Sequence, residues 1–117
     1  VSSYLFTCAL TGYSLTTVSN KCIVDAAHIH ERRDSKNDDP RNGLALSKNA
    51  HWMFDEGLWS VTNELKIIVA EKAFTDWSPE GFSLRNYHGR SLFFQRGCAL
   101  RPDPKYITWH REHCFLG

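Results

Sequence analysis

The sequence predicts a single α+β domain. Its 117 residues suit one hydrophobic core and leave no room for a second. Short β-prone runs alternate with one well-signalled internal helix and a proline-led helix near the end. Hydrophobic residues make up 42% and aromatics 13%, enough apolar surface to fold and too much for a disordered chain.

Cys22-Ile23-Val24-Asp25-Ala26 is short and β-prone and reads as a strand leading into Ala27-His28-Ile29. Residues Glu31 to Arg41 (ERRDSKNDDPR) are almost wholly polar and include a proline, the composition of an exposed loop. Gly43-Leu44-Ala45-Leu46 returns as a second strand. Ser47 then offers a helix N-cap, Ala50, Met53 and Phe54 recur at helical spacing, and Gly57 stands where a left-handed residue would stop the helix. Beyond it, Leu58 to Val61 and Leu65 to Val69 flank Thr62-Asn63-Glu64, which predicts a hairpin. A further strand is expected at Ser91 to Gln95, and a short helix at Tyr106 to His113 after Pro102 and Pro104.

No run approaches the roughly 20 apolar residues needed to span a bilayer, and no secretory leader precedes Tyr4-Leu5-Phe6, so no membrane role and a cytoplasmic setting are expected. The chain opens on Val1 and stops at Gly117, which suggests a piece excised from a longer multidomain protein. Cys8, Cys22, Cys98 and Cys114 are scattered and form no Cys-x-x-Cys pair, so reduced, mostly buried thiols are expected rather than a zinc knuckle. The net charge of +1 does not by itself announce nucleic-acid binding. From Arg85 onward, however, six basic residues face two acidic ones, a local excess able to hold a phosphate backbone. The Glu31 to Arg41 loop is near neutral, its four basic residues offset by four acidic ones.

Within the strand, loop, strand and helix stand His28, Asn42 and His51. They sit in the phrases Ala26-Ala27-His28-Ile29, Asn42-Gly43-Leu44-Ala45-Leu46 and His51-Trp52-Met53-Phe54-Asp55-Glu56-Gly57-Leu58. In order and setting these resemble the HNH motif of the ββα-metal, or His-Me finger, nucleases, most closely that of bacterial HNH domains. Cys8-Ala9-Leu10-Thr11-Gly12 and Trp109-His110-Arg111-Glu112 look like the opening and closing phrases of such domains, so the resemblance spans nearly the whole chain. It implies a ββα-metal core elaborated by a hairpin and a C-terminal helix, with residues 1–117 forming one HNH nuclease domain.

The chemistry can be argued beside the resemblance. Phosphodiester hydrolysis needs a nucleophile made from water, relief of charge at phosphorus and a stabilised leaving oxygen. A histidine's ordinary pKa near 6.5 lets it accept a water proton at physiological pH, the role assigned to His28. Asn42 would orient it through an amide hydrogen bond across the loop. His51 and Asp55 lie four apart on the helix, with Cβ atoms roughly 5 to 6 Å apart, and can bracket one cation. The resemblance supports His51 as a metal ligand and Asp55 as the second. Many HNH nucleases place a metal-binding Asp or His immediately before the base, where this chain has Ala27. Asp55 is the preferred substitute, although strand alternation also puts Asp25 on the face of Ala27. His30, Arg41 and Arg111 are candidate substrate contacts, with Trp109 expected to anchor the closing phrase to the core.

The resemblance implies an endonuclease that cuts double-stranded DNA to 5′-phosphate and 3′-hydroxyl ends, in a restriction or antiphage setting. One divalent ion is expected, Mg²⁺ or Mn²⁺, while an imidazole ligand would also accept Ni²⁺, Co²⁺ or Zn²⁺. Selectivity would come from a fused recognition or ligand-sensing domain or from homo-oligomerisation. The alternative reading is a catalytically silent DNA-binding module on the same scaffold, motivated by Ala27. A zinc-dependent interaction module is a third reading, disfavoured by the cysteine spacing.

Overall fold

A computed structural model of the chain describes residues 7–29, 42–94 and 101–117. The described elements are strands β1 (Val24–His28) and β2 (Gly43–Ser47), helix α1 (Lys48–Asp55), strands β3 (Trp59–Val61) and β4 (Ile67–Val69), a 3-10 turn (Leu84–Tyr87) and helix α2 (Pro104–His113). They form two antiparallel two-stranded sheets with helices packed on them, an α+β arrangement.

The first pair runs Val24 opposite Ser47 to His28 opposite Gly43. It begins two residues later than Cys22 because Cys22 bridges Thr16 instead, and the Ile23 amide donates to the Leu15 carbonyl at 3.0 Å. Helix α1 follows β2 without a linker. The Ser47 hydroxyl accepts from the Ala50 amide at 3.4 Å, as an N-cap does. At the other end Gly57 has φ +78°, its amide donates to the Phe54 carbonyl at 3.1 Å, and the Leu58 amide donates to the Met53 carbonyl at 2.9 Å. That paired closure is a Schellman ending, which needs the left-handed residue that glycine provides. A Cβ at Gly57 would also strike the Cys114 carbonyl, so the C-terminal segment packs only because no side chain stands there.

The hairpin of β3 and β4 forms as expected, with Trp59 opposite Val69 and Val61 opposite Ile67. Its turn is longer than Thr62-Asn63-Glu64: Leu65 adopts φ +63° and Lys66 still belongs to the connection. Helix α2 starts two residues before Tyr106, since Asp103 caps it by accepting from the Lys105 amide at 3.0 Å and Pro104 fills the first turn, where its missing N–H costs nothing. The strand expected at Ser91 to Gln95 is not formed over Ser91 to Phe94, while Gln95 lies outside the described residues. The segment divides its hydrogen bonds between two neighbours: the Leu92 amide donates to Leu65 at 3.0 Å and the Phe93 amide to Ala9 at 2.8 Å. Neither partner alone supports a ladder.

Leu10, Ile29, Leu46, Phe54, Trp59 and Ile107 are buried together, so the opening segment, the first pair, both helices and β3 share one core. Cys8 is buried in the same core as a thiol, with Cys22 and Cys114 half-buried thiols; Cys98 and the Glu31 to Arg41 loop lie outside the described residues. Among the described residues no helix is long and apolar enough to cross a membrane.

Candidate active site

Along β1 Val24 and Ala27 are buried, Asp25 is half-buried, and Ala26 and His28 are exposed. Two residues separate successive side chains on one face, so Asp25 and Ala27 turn one way and His28 the other. His28 ends the strand opposite Gly43, whose missing side chain leaves the imidazole uncovered across the ladder. With the described residues His28 makes no side-chain hydrogen bond or ion pair. Its side chain is exposed.

Asn42, one residue before Gly43, is fully buried, and its carbonyl accepts from the Ile29 amide at 2.9 Å. That bond closes the two chain ends just past His28 and fixes where the strand stops. The residue therefore braces the backbone that carries the histidine, whatever its amide adds.

His51 and Asp55 are brought together. The Nε2 atom of His51 lies 3.2 Å from Asp55 Oδ2, the expected result of a four-residue step on α1. The other ring nitrogen, Nδ1, lies 3.6 Å from Oδ2 of Asp25 on β1. Lys48, one turn earlier on α1, holds both Asp25 oxygens at 3.2 and 3.3 Å. The side chains of His51, Asp25 and Asp55 are 31%, 39% and 50% exposed, so the group stands at the surface and is open to solvent. Among the described residues no three or more His, Cys, Asp or Glu converge to enclose an ion. The donors that meet are one imidazole nitrogen and one carboxylate, a set suited to a hard divalent cation that keeps most of its waters.

The helix bearing this pair is fixed from behind by His110 of α2. Its ring stacks on Phe54 at 3.7 Å between centroids and 8° between planes. Nε2 contacts the Phe54 carbonyl at 3.0 Å and Nδ1 the Ser60 hydroxyl at 2.6 Å. A carbonyl only accepts, so Nε2 carries the proton and the Ser60 hydroxyl donates to Nδ1. Burial pushes the pKa of His110 down to about 4, against a smaller upward pull from the Phe54 carbonyl, and the ring is neutral at pH 7. It is His110, not the half-buried Trp109, that anchors the closing phrase; Trp109 stacks on His113 at 4.9 Å. The next residue, Arg111, spends its guanidinium on the Val61 carbonyl at 2.8 Å, Asn63 Oδ1 at 3.0 Å and the Thr108 hydroxyl at 3.3 Å. It clamps the β3–β4 turn. His30 and Arg41 lie outside the described residues.

Residues 8–62 match the family model described as HNH endonuclease. The chain also superposes on a modification-dependent TagI restriction endonuclease with a TM-score of 0.69 at 21% identity, over 98% of this chain and 35% of that one. At that identity the likeness speaks for the fold. The chain spans about a third of the length of that structure. No curated protein matches the chain. Together, the family match and the fold support a nuclease.

The matched segment contains His28, Asn42, His51 and Asp55, and it stops at the end of β3, before Arg111. Around this site two contributors carried little sequence signal. Lys48 meets Asp25 across 23 positions of chain, and Ser60 meets His110 across 50. Polar pairs so far apart leave no local pattern. Asp25 was legible only as the residue sharing a strand face with Ala27.

Proposed function

We propose that the chain is the catalytic domain of a metal-dependent endonuclease that hydrolyses DNA phosphodiester bonds. The observation carrying this reading is the 3.2 Å pairing of His51 and Asp55 on the helix that follows β2, whose partner strand β1 ends in exposed His28, all within the segment that matches the HNH endonuclease family. The hairpin and helix would then be a ββα-metal core. His28 accepts a proton from water, the resulting hydroxide attacks phosphorus, and the 3′-oxygen departs and takes a proton from solvent, leaving 5′-phosphate and 3′-hydroxyl ends. A single divalent ion, Mg²⁺ or Mn²⁺, held by His51 and Asp55 would neutralise charge on the phosphate and on the leaving oxygen. Asn42 keeps the strand end in place so that His28 holds its position. The reading requires His28, which lies on the opposite strand face from Asp25, to reach from the end of β1 the same phosphate as the helix pair.

Restriction or antiphage defence is the setting we favour. Base or modification recognition would belong to a fused domain, in keeping with the much greater length of the TagI enzyme. One such site cuts one strand at a time, so a double-strand break requires two sites or two visits. With its guanidinium engaged at the β3–β4 turn, Arg111 could reach a phosphate only by giving up those bonds.

A second reading, a silent DNA-binding module, draws on the buried Ala27 and on the lack of a three-residue metal group among the described residues. Plasmid nicking with Mg²⁺ or Mn²⁺ separates the two. Catalysis predicts nicked circles that disappear in His28→Ala. Equal, intact supercoiled plasmid from both proteins, with a persisting gel shift, favours binding alone.

A further inference from the structure

We propose that Trp52 is a substrate-binding residue whose indole packs on a deoxyribose of double-stranded DNA, beside the phosphate that lies at His51 and Asp55. This rests on the reading of α1 as the element that meets the substrate backbone.

Of the four tryptophans, two serve the fold. Trp59 is fully buried and donates to the Ala50 carbonyl at 3.0 Å, and Trp109 is half-buried and stacks on His113. Trp52 is 61% exposed, and among the described residues its indole N–H meets no acceptor and its ring no stacking partner. Successive side chains on a helix turn by about 100°, so the buried Ala50 and Phe54 define the inner face of α1 and Trp52 points about 180° away from it. From that crest the exposed arc passes through Lys48 and Asp55 to His51. An exposed apolar side chain is ordinary on a protein surface. What singles out Trp52 is its place on the outer side of the helix that carries the candidate pair, three residues from Asp55. Trp77 is 90% exposed, but it stands on the connection from β4 to the 3-10 turn rather than on α1.

The chemistry of a duplex selects the contact. Its base faces are covered by stacking and its phosphates attract cations, so the apolar surface next to each phosphate is the deoxyribose. An indole is flat and rigid and carries one N–H, which lets it cover a sugar and donate to a neighbouring phosphate oxygen. Lys48, four residues before Trp52 and 81% exposed, lies on the same side of α1 and adds positive charge toward the backbone, while its ammonium also holds Asp25. A sugar contact carries no base identity. It suits a catalytic domain whose selectivity comes from elsewhere.

Affinity for a short fluorescein-labelled duplex can be read by anisotropy without divalent ions across a range of salt, and turnover by plasmid nicking with Mn²⁺. Keeping about 50–60 Å² of apolar surface from water corresponds to about a tenfold change in affinity. Trp52→Ala is therefore expected to weaken duplex binding about tenfold, equally on unrelated sequences, and to keep the parent's salt slope because no charge is removed. It should raise KM for nicking with kcat little changed, and leave the urea midpoint where it was. Trp52→Phe keeps a flat apolar face and should recover most of the affinity. Unchanged duplex affinity and KM in Trp52→Ala overturn the proposal. So does a loss confined to certain sequences, which would put the indole on bases. A parent that sediments as a dimer and becomes monomeric in Trp52→Ala overturns it too, since a second copy would then cover the ring. Failure of the underlying reading looks different: the parent protein would neither bind nor nick duplex DNA, or His51→Ala would nick as the parent does.

Discussion

His110 lies almost fully buried between α2, the end of α1 and β3, whereas His28 and His51 stand at the solvent edge of the first sheet and its helix. The buried ring has both nitrogens satisfied by neutral partners and an aromatic face against it, so every feature favours an uncharged, immobile imidazole. Around the edge rings the partners are carboxylates or solvent. One residue type thus does two jobs. On the proposed function, fold stability falls to one region and chemistry to the other, and substitutions can test whether the two separate.

The largest effect is expected at the edge. His28→Ala should lower plasmid nicking by about 10²- to 10⁴-fold, the usual contribution of a positioned proton acceptor. Its urea midpoint should not move, because the side chain contacts no described residue through a hydrogen bond or ion pair. Cleavage that survives in well-folded His28→Ala would remove the role assigned to it. At the buried end, His110→Ala deletes a stacked ring and two hydrogen bonds, and should cost about 2–4 kcal/mol in urea unfolding. Nicking per folded molecule should hardly change. If activity falls with no loss of stability, the two regions are not separate.

Much of this contrast was legible in the sequence where the determinants are local. Ser47 and Gly57 bound α1 because a cap acts on the next few amides or carbonyls, and His51 and Asp55 meet because a helix repeats every 3.6 residues. The hairpin of β3 and β4 was legible for the same reason. What escaped is decided by distant neighbours. The segment from Ser91 has β propensity, but its amides are claimed separately by Leu65 and Ala9. Trp109 is the more apolar side chain, yet α2 meets α1 with His110 turned inward, a matter of which helical face touches Phe54. No local pattern announces that face.

Acid should distinguish the regions next. The folded-state pKa of His110 is about 4, against about 6.5 for an unfolded histidine, so between those values the unfolded chain binds more protons. Its contribution to stability is complete above roughly pH 6.5, falls as the pH drops toward 4, and changes no further below that. The full loss is on the order of 3 kcal/mol. Urea unfolding across this window should show the slope in the parent protein and a shallower one in His110→Leu. Equal slopes would mean that other groups dominate the acid response.

The smallest effect expected is at Ser60, and it probes the buried ring without removing it. Ser60→Ala takes away the hydroxyl that donates to Nδ1 at 2.6 Å while leaving the Phe54 stack and the Nε2 hydrogen bond in place. A buried lone pair without a donor costs about 1–2 kcal/mol, so the destabilisation should be smaller than that of His110→Ala. Because the edge residues are untouched, nicking at neutral pH should match the parent once the protein is folded. A loss as large as that of His110→Ala would instead show that the ring keeps its place mainly through Ser60, making β3 rather than α1 the element that His110 secures.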